Sequence, residues 1–321
     1  MMREIERVKN ILKTPLRVAI LTHTRPDGDA IASLLSLCVS LQTAGFEVTG
    51  ILPEGIPKRF HFLQGLDIVQ SNYPDDAELV IAVDCADEKR LSLPPGLPVP
   101  KIDINIDHHL SNSFFASVNI VDKKAASTTQ VLYELFISLG FSIDPVVATQ
   151  LLTGLVTDTI GFRTENVTPD VLRCAAKLQD LGAPLADIQL RSLNERSFEA
   201  VRYWGCGLNR ISQDNGVVWT SLELADRDRT GYPGFDDADL INIMSTVEDT
   251  LVAVIFVEQP GGKVKVSWRS KSGINVSSLA ERFGGGGHNA AAGTMMVGDL
   301  DQVTRSVLEV TFGLVKEKAE S

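Results

Sequence analysis

The sequence predicts an α/β protein: a mostly parallel sheet with helices on both faces, followed by a smaller mixed α/β C-terminal domain. Three observations carry this expectation. Short apolar runs alternate with helix-period segments as far as residue 181, which is the rhythm of a parallel sheet. Beyond residue 211 the rhythm gives way to a strand, a helix and a hairpin. The length of 321 residues, with 44% hydrophobic and 22% charged side chains, supplies two cored domains and excludes a disordered or low-complexity chain.

Taken in order, MMREIERVKNILKTP reads as an amphipathic helix without the apolar core of a signal peptide. RVAILTH (17–23) reads as a buried strand, followed by a loop and a helix over 31–44. FEVTGIL (46–52), LVIAVD (79–84), IDINID (102–107) and SVNIVD (117–122) read as further strands. Helices are expected over 127–139, 145–156 and 169–181. In such sheets ligands sit beyond the carboxyl ends of the strands. A polar stretch rich in Arg, Glu and Ser reads as a helical connector, so the expected boundaries are 1–185, a connector 186–210, and 211–321. In the last part, GVVWTSLEL (216–224) reads as a strand and DDADLINIMSTVED (236–249) as a helix. Residues 250–270 read as a hairpin closed by Pro-Gly-Gly. A helix over 276–283, a glycine run, a strand over 294–297 and a final helix follow.

Composition excludes several function classes. The longest apolar runs, such as 251–257, fall far short of the ~18 residues of a membrane span. Cys38, Cys85, Cys174 and Cys206 are scattered and never form a CxxC pair. They make neither a disulfide scaffold nor a zinc site and suit a reducing cytoplasm. A net charge of −11 argues against a grip on long duplexes by phosphate neutralisation, while leaving room for a small anion in one local basic pocket.

The informative residues are acids and histidines at strand ends. His23, Asp27 and Asp29 form H-x-x-x-D-x-D after the first strand; Asp84 ends LVIAVD; Asp107, His108 and His109 end IDINID; Asp158 lies in GLVTDTIGF near a helix end. Each alone also reads as a turn, a helix cap or a satisfied polar cluster. Together they point to one carboxyl edge, where gathered carboxylates repel unless their pKa values rise or cations sit between them. Carboxylates mixed with imidazoles suit manganese, and the same donor set takes iron, cobalt or zinc. Two imidazoles and four carboxylates can supply two metals with one bridging carboxylate. Such a pair, ~3.5–4 Å apart, activates water and stabilises phosphoryl charge.

These residues resemble a known family. HTRPDGDA (23–30), VDCAD (83–87), NIDHHLSN (105–112) and TGLVTDTIGF (153–162) resemble the four motifs of the DHH phosphoesterase superfamily. GGGGHNAAAG (284–293) resembles the glycine-rich motif of its DHH-associated C-terminal domain. Within the family the nearest likeness is to the bacterial nanoRNase (oligoribonuclease) and pAp-phosphatase group. One departure, Ile31-Ala32-Ser33 where that group often has Leu-Gly-Ser, touches helix packing and no metal ligand. The resemblance implies that 1–185 is the catalytic domain and 211–321 the substrate-binding domain. It implies that His23, Asp27 and Asp84 hold one manganese, and that Asp29, Asp84, His108 and Asp158 hold the other, with Asp84 bridging. Magnesium or cobalt would be the substitutes. His109 would face the substrate, and Asp107 would orient an imidazole. A metal-activated water would be the nucleophile.

Outside the metal cluster, the run 284–287 followed by His288 can present backbone N–H groups to an anion as a concave nest, so Gly285, Gly286, Gly287 and His288 are expected substrate contacts. Its bland reading is a flexible loop. Arg269 offers a planar fork for a phosphate, and the resemblance places it beside that nest. Arg163 follows TDTIGF and could reach the crevice; each arginine also reads as a surface charge. The implied activity is hydrolysis of short single-stranded RNA to mononucleotides and of adenosine 3′,5′-bisphosphate to AMP. Alternatives are hydrolysis of pApA or cyclic dinucleotides, an inorganic pyrophosphatase, and a non-catalytic nucleotide-binding protein. The expected partners are short RNA or small nucleotides, with no membrane and no long duplex. Some members of the family form homodimers, but the sequence carries no interface signature.

Overall fold

The structure, a computed structural model, describes residues 2–271 and 273–319, and of His288 and Ala319 it describes the backbone alone. The chain divides into two compact units, Met1–Glu195 and Arg196–Ser321, so the division falls inside the stretch read as a connector.

The first unit runs α1 (Met2–Ile11), β1 (Arg17–Leu21), α2 (Gly28–Thr43), β2 (Glu47–Ile51), β3 (Val69–Gln70), β4 (Leu79–Val83), β5 (Ile104–Asp107), β6 (Val118–Val121), α3 (Thr128–Leu139), α4 (Pro145–Asp158), α5 (Pro169–Asp180) and α6 (Leu185–Gln189). Its six strands lie in the order β3-β2-β1-β4-β5-β6. All five pairings are parallel. The central strands are buried on both faces and are therefore near-continuous apolar runs. Val18, Ile20, Ile81, Val83 and Ile104 pack with α2, α3, α4 and α5 into the main core. The helices begin where the caps dictate: the Asp27 carboxylate accepts from Asp29 and Ala30 N–H at the head of α2, and Ser127 accepts from Gln130 N–H at the head of α3. Asp144 and Thr168 do the same for α4 and α5, each with proline at the first helical position.

The parallel sheet is as expected, but its cover is lopsided. Ala19, Leu21, Val80 and Ala82 point to the second face and pack with Leu91, Ile102, Leu93 and Phe115. Among the described residues no α-helix contributes to that cluster. The connection from β4 to β5 carries Pro94, Pro95, Pro98 and Pro100, whose missing N–H groups bar a helix, so loops and a 3-10 turn over Glu88–Arg90 cover this face.

The second unit runs α7 (Phe198–Leu208), β7 (Ser212–Asp214), β8 (Val217–Leu222), α8 (Leu224–Thr230), α9 (Leu240–Met244), β9 (Val252–Gln259), β10 (Lys263–Ser270), α10 (Ser277–Arg282), β11 (Gly286–His288), β12 (Ala291–Val297) and α11 (Leu300–Ala319). Its sheet order is β11-β12-β10-β9-β8-β7. Only β8 and β9 pair parallel; the other pairings are antiparallel. Val254, Phe256, Val266 and Trp268 face α10 and α11, while Ala253, Ile255 and Val257 face α7 and α9. The helix expected over 236–249 shrinks to Leu240–Met244, because Ala238 and Asp239 adopt positive φ of 51° and 65°. The glycine run is part strand: Gly286–His288 pairs antiparallel with β12.

Candidate functional site

Because β1, β4 and β5 are parallel, their carboxyl ends share one edge, and the loops leaving them converge. His23 follows β1, Asp84 follows β4, Asp107 ends β5, and His108 and His109 come next. Asp29 lies in the first turn of α2 and Asp158 is the last residue of α4. Asp84 occupies the centre. Its Oδ2 lies 3.6 Å from His23 Nε2, and its Oδ1 lies 3.9 Å from His108 Nε2 and 3.7 Å from His109 Nδ1. Asp158 Oδ2 lies 3.4 Å from His108 Nε2. Both imidazoles are oriented by backbone: the Nδ1 atoms of His23 and His108 sit 2.9 Å and 3.3 Å from the carbonyls of Thr24 and Ala125, which leaves each Nε2 toward the acids.

The helix α3 supplies the remaining support. Thr128 and Thr129 N–H donate to Asp29 Oδ2 and Oδ1 at 2.6 Å and 3.1 Å, so a buried carboxylate rests on a helix N-terminus. The Thr128 hydroxyl donates to Asp84 Oδ1 at 2.7 Å. Space for Asp29 comes from α4, where a Cβ at Gly154 would sit 2.5 Å from Asp29 Oδ1.

The electrostatics follow from this crowding. Burial pushes the Asp29 carboxyl well up, and the charges of Asp84, Asp158 and Asp27 push it further. Burial likewise lifts Asp158 to about 7, against the pull of His108 and with Asp84 and Asp27 adding to the rise. Asp84 is held well below the usual range: burial opposes this, but the nearby imidazoles of His23, His108 and His109 outweigh it. Buried acids that resist losing their protons are the expected mark of a cation site. Ligand atoms lie within 4.8 Å of one another in three groups: Asp84 with His108 and His109, His23 with Asp27 and Asp84, and Asp29 with His108 and Asp158. Oxygen and imidazole donors in this mix fit divalent cations of the manganese or zinc type.

Residues 17–156 match the DHH family, N-terminal domain, and residues 236–311 match the DHHA1 domain. Over 315 residues the chain is 35% identical to the bifunctional oligoribonuclease and PAP phosphatase NrnA of Thermus thermophilus, covering 96% of this chain and 92% of that relative. The chain belongs to the DHH family. This DHH protein is a phosphoesterase. Its fold matches an exopolyphosphatase-related protein from Bacteroides fragilis with a TM-score of 0.89 at 24% identity over 98% of both chains. It also matches RecJ of Thermus thermophilus in complex with Mn2+ with a TM-score of 0.54 at 16% identity, over 98% of this chain and 55% of RecJ. Among the described residues no helix is long and apolar enough to cross a membrane.

In the DHH protein His109 differs from its neighbour. Its Nδ1 donates to Asp107 Oδ1 at 2.7 Å, and its ring meets that of His108 edge-on. Burial opposes protonation of His109, but the Asp107 hydrogen bond and the charges of Asp84, Asp107 and Asp158 raise it to about 9. Eight of the residues named from the sequence thus come together: His23, Asp27, Asp29, Asp84, Asp107, His108, His109 and Asp158. Arg163 is exposed and donates its Nε to the carbonyl of Ile160 at 2.9 Å, which ties it to its own loop.

The others lie in the second unit. Arg269 is half-buried, and this desolvation lowers its pKa against the charges of Asp237 and Asp239. Its backbone shares a rung with Ala291, and Ala291 shares one with His288. The His288 side chain lies outside the described residues. The glycines have a packing reason: a Cβ at Gly285 would sit 2.3 Å from the carbonyl of Gly293, and one at Gly287 would sit 2.5 Å from that of Ala291. Thr128, Thr129 and Gly154 were not singled out from the sequence. The Ser-Thr-Thr at a helix start was the available signal, since such a start offers unpaired N–H donors to an anion.

Proposed function

We propose that this phosphoesterase hydrolyses short oligoribonucleotides to mononucleotides, and adenosine 3′,5′-bisphosphate to AMP, with two divalent cations, manganese foremost. The observation that carries the proposal is Asp84, whose Oδ2 faces His23 and whose Oδ1 faces His108, one imidazole from each proposed ligand set, as a bridging carboxylate would. The substrate class comes from the Thermus thermophilus relative, a bifunctional oligoribonuclease and PAP phosphatase. His23, Asp27 and Asp84 would hold one cation, and Asp29, Asp84, His108 and Asp158 the other. Such a pair supplies an activated water and offsets charge on the phosphoryl oxygens.

The chain's own groups do the rest. Water adds across one P–O bond, and the departing ribose oxygen needs a proton. His109, pinned through Nδ1 to Asp107, would act through Nε2 on a phosphoryl oxygen or on that leaving oxygen. Asp107 holds the ring. In the second unit Arg269, the 285–287 backbone and His288 would hold the nucleotide, and Arg163 would add charge from its loop. We place the enzyme in the cytoplasm, a reading supported by four free thiols, three of them buried.

The test is a substrate panel run with manganese and with magnesium. Di- to pentaribonucleotides should yield mononucleotides, and adenosine 3′,5′-bisphosphate should yield AMP. No turnover of any of them by manganese-loaded protein would sink the proposal. Faster turnover of pApA than of mixed short RNA would move the assignment to a dinucleotide hydrolase.

A further inference from the structure

We propose that Asn112 is a positioning residue for the reaction: its carboxamide clamps Asp107, and Asp107 in turn holds His109 in one orientation and one tautomer. The inference rests on the reading of His109 as the group that acts on substrate. It adds a residue, and a direction of support, that this reading does not contain.

The geometry is a chain of three buried side chains leading to one imidazole. Asp107 is fully buried, and its two oxygens have different donors. His109 Nδ1 donates to Oδ1 at 2.7 Å, and Asn112 Nδ2 donates to Oδ2 at 2.6 Å. Asn112 is itself fixed. Its other Nδ2 hydrogen goes to Asn105 Oδ1 at 2.8 Å, and its Oδ1 accepts from Phe114 N–H at 2.7 Å. Asn105 on β5 is fully buried and donates to the carbonyl of Cys85 at 3.2 Å, one residue beyond Asp84. The loop bearing Asn112 turns back through Phe114, whose φ is 56°.

A carboxylate held at one oxygen alone can swing about its terminal bond, which is broad and soft. Held at both, it presents Oδ1 at one point, and the ring that donates to it cannot flip. A fully satisfied buried network fixes geometry in this way, and removing one member leaves an acceptor without a partner. Asn105 anchors the clamp to the strand beside Asp84, so the ring is referenced to the same frame as the metal ligands. Among the described residues the Asn112 carboxamide bonds to Cys85, Asn105, Asp107 and Phe114, and none of these is one of the six proposed ligands.

The experiment compares Asn112→Ala, Asn112→Leu and His109→Ala in the full chain. Steady-state kinetics use adenosine 3′,5′-bisphosphate, calorimetry measures manganese affinity, and the His109 Nδ1 proton is followed by NMR with magnesium. Loss of the Asp107 clamp should lower kcat roughly 10- to 100-fold, as supports of this kind commonly do. KM and manganese affinity should stay within about twofold, and the downfield Nδ1 proton, assigned by its absence in His109→Ala, should vanish. A kcat within twofold of the parent in either folded Asn112 variant overturns the inference. So does a loss of kcat matched by an equal loss of manganese affinity, or a parent protein with no such proton. If His109→Ala alone is fully active, the reading of His109 fails, whatever Asn112 does. Should the Asn112 variants not fold, Asn105→Ser removes the anchor alone, and an unchanged proton and kcat there overturn the inference as well.

Discussion

Asp84 stands at the end of β4 with φ at 52°, a left-handed conformation that costs a non-glycine residue of order 1–3 kcal/mol. Its N–H donates to the carbonyl of Ile106 at 3.0 Å and its Oδ1 accepts from Thr128, so neighbours on two elements hold the strain. Strain kept at such a point marks a residue placed for chemistry. Asp84→Ala should therefore lose more than about 100-fold in turnover, beyond the range typical of supporting residues. Its fold should survive, since one of several crowded carboxylates is gone. A fully active variant would contradict the bridging role. Thr128→Val should keep its fold but bind manganese roughly 10- to 100-fold more weakly, measured by calorimetry, because the hydroxyl that aims Asp84 is missing. The six candidate ligands were legible in the sequence because acids and imidazoles at strand ends are chemically loud. Thr128 was not legible, because half of its work is done by a backbone N–H that every residue but proline carries.

Elements were legible to the extent that periodicity decides them. The five apolar runs of the first unit became parallel strands within a few residues of their expected ends. Other features were hidden: the short strands β3 and β7 and the helix α8 were not read at all, and two more show why. Leu240, Ile241 and Met244 keep helical spacing, but spacing cannot report that Ala238 and Asp239 would turn left-handed and shorten the helix. Glycine has no strand preference, so β11 was invisible until β12 lay beside it. These elements make their own predictions. On α4, Gly154 and Asp158 are four residues apart and share a face. Gly154→Ala would press a methyl group into Asp29 and Thr129, destabilising the fold by about 1–3 kcal/mol. Manganese should then raise the melting temperature of this variant far less than that of the parent. Gly287→Ala should leave that manganese effect intact and raise KM, because its Cβ would drive β11 away from the β12 carbonyls in the unit proposed to bind nucleotide.

At the scale of the molecule, the two units carry separate cores. Residues of the first gather around Ile20, Ile81 and Ile106, and those of the second around Phe256, Val266 and Trp268 on one side and Ile255 and Leu240 on the other. All six candidate metal ligands belong to Met1–Glu195. A cation that binds the folded first unit and not its unfolded chain stabilises that unit by mass action, by about 2.7 kcal/mol when free metal is 100 times its Kd. The second unit holds none of the six candidate ligands. Differential scanning calorimetry of the full chain should accordingly show two transitions. Manganese should move one of them upward and leave the other in place, and a chelator should reverse the shift. In Asp84→Ala the movable transition should stop responding. A single transition that shifts as a whole would mean the two cores melt as one, and a response that persists without Asp84 would place the bound metal elsewhere.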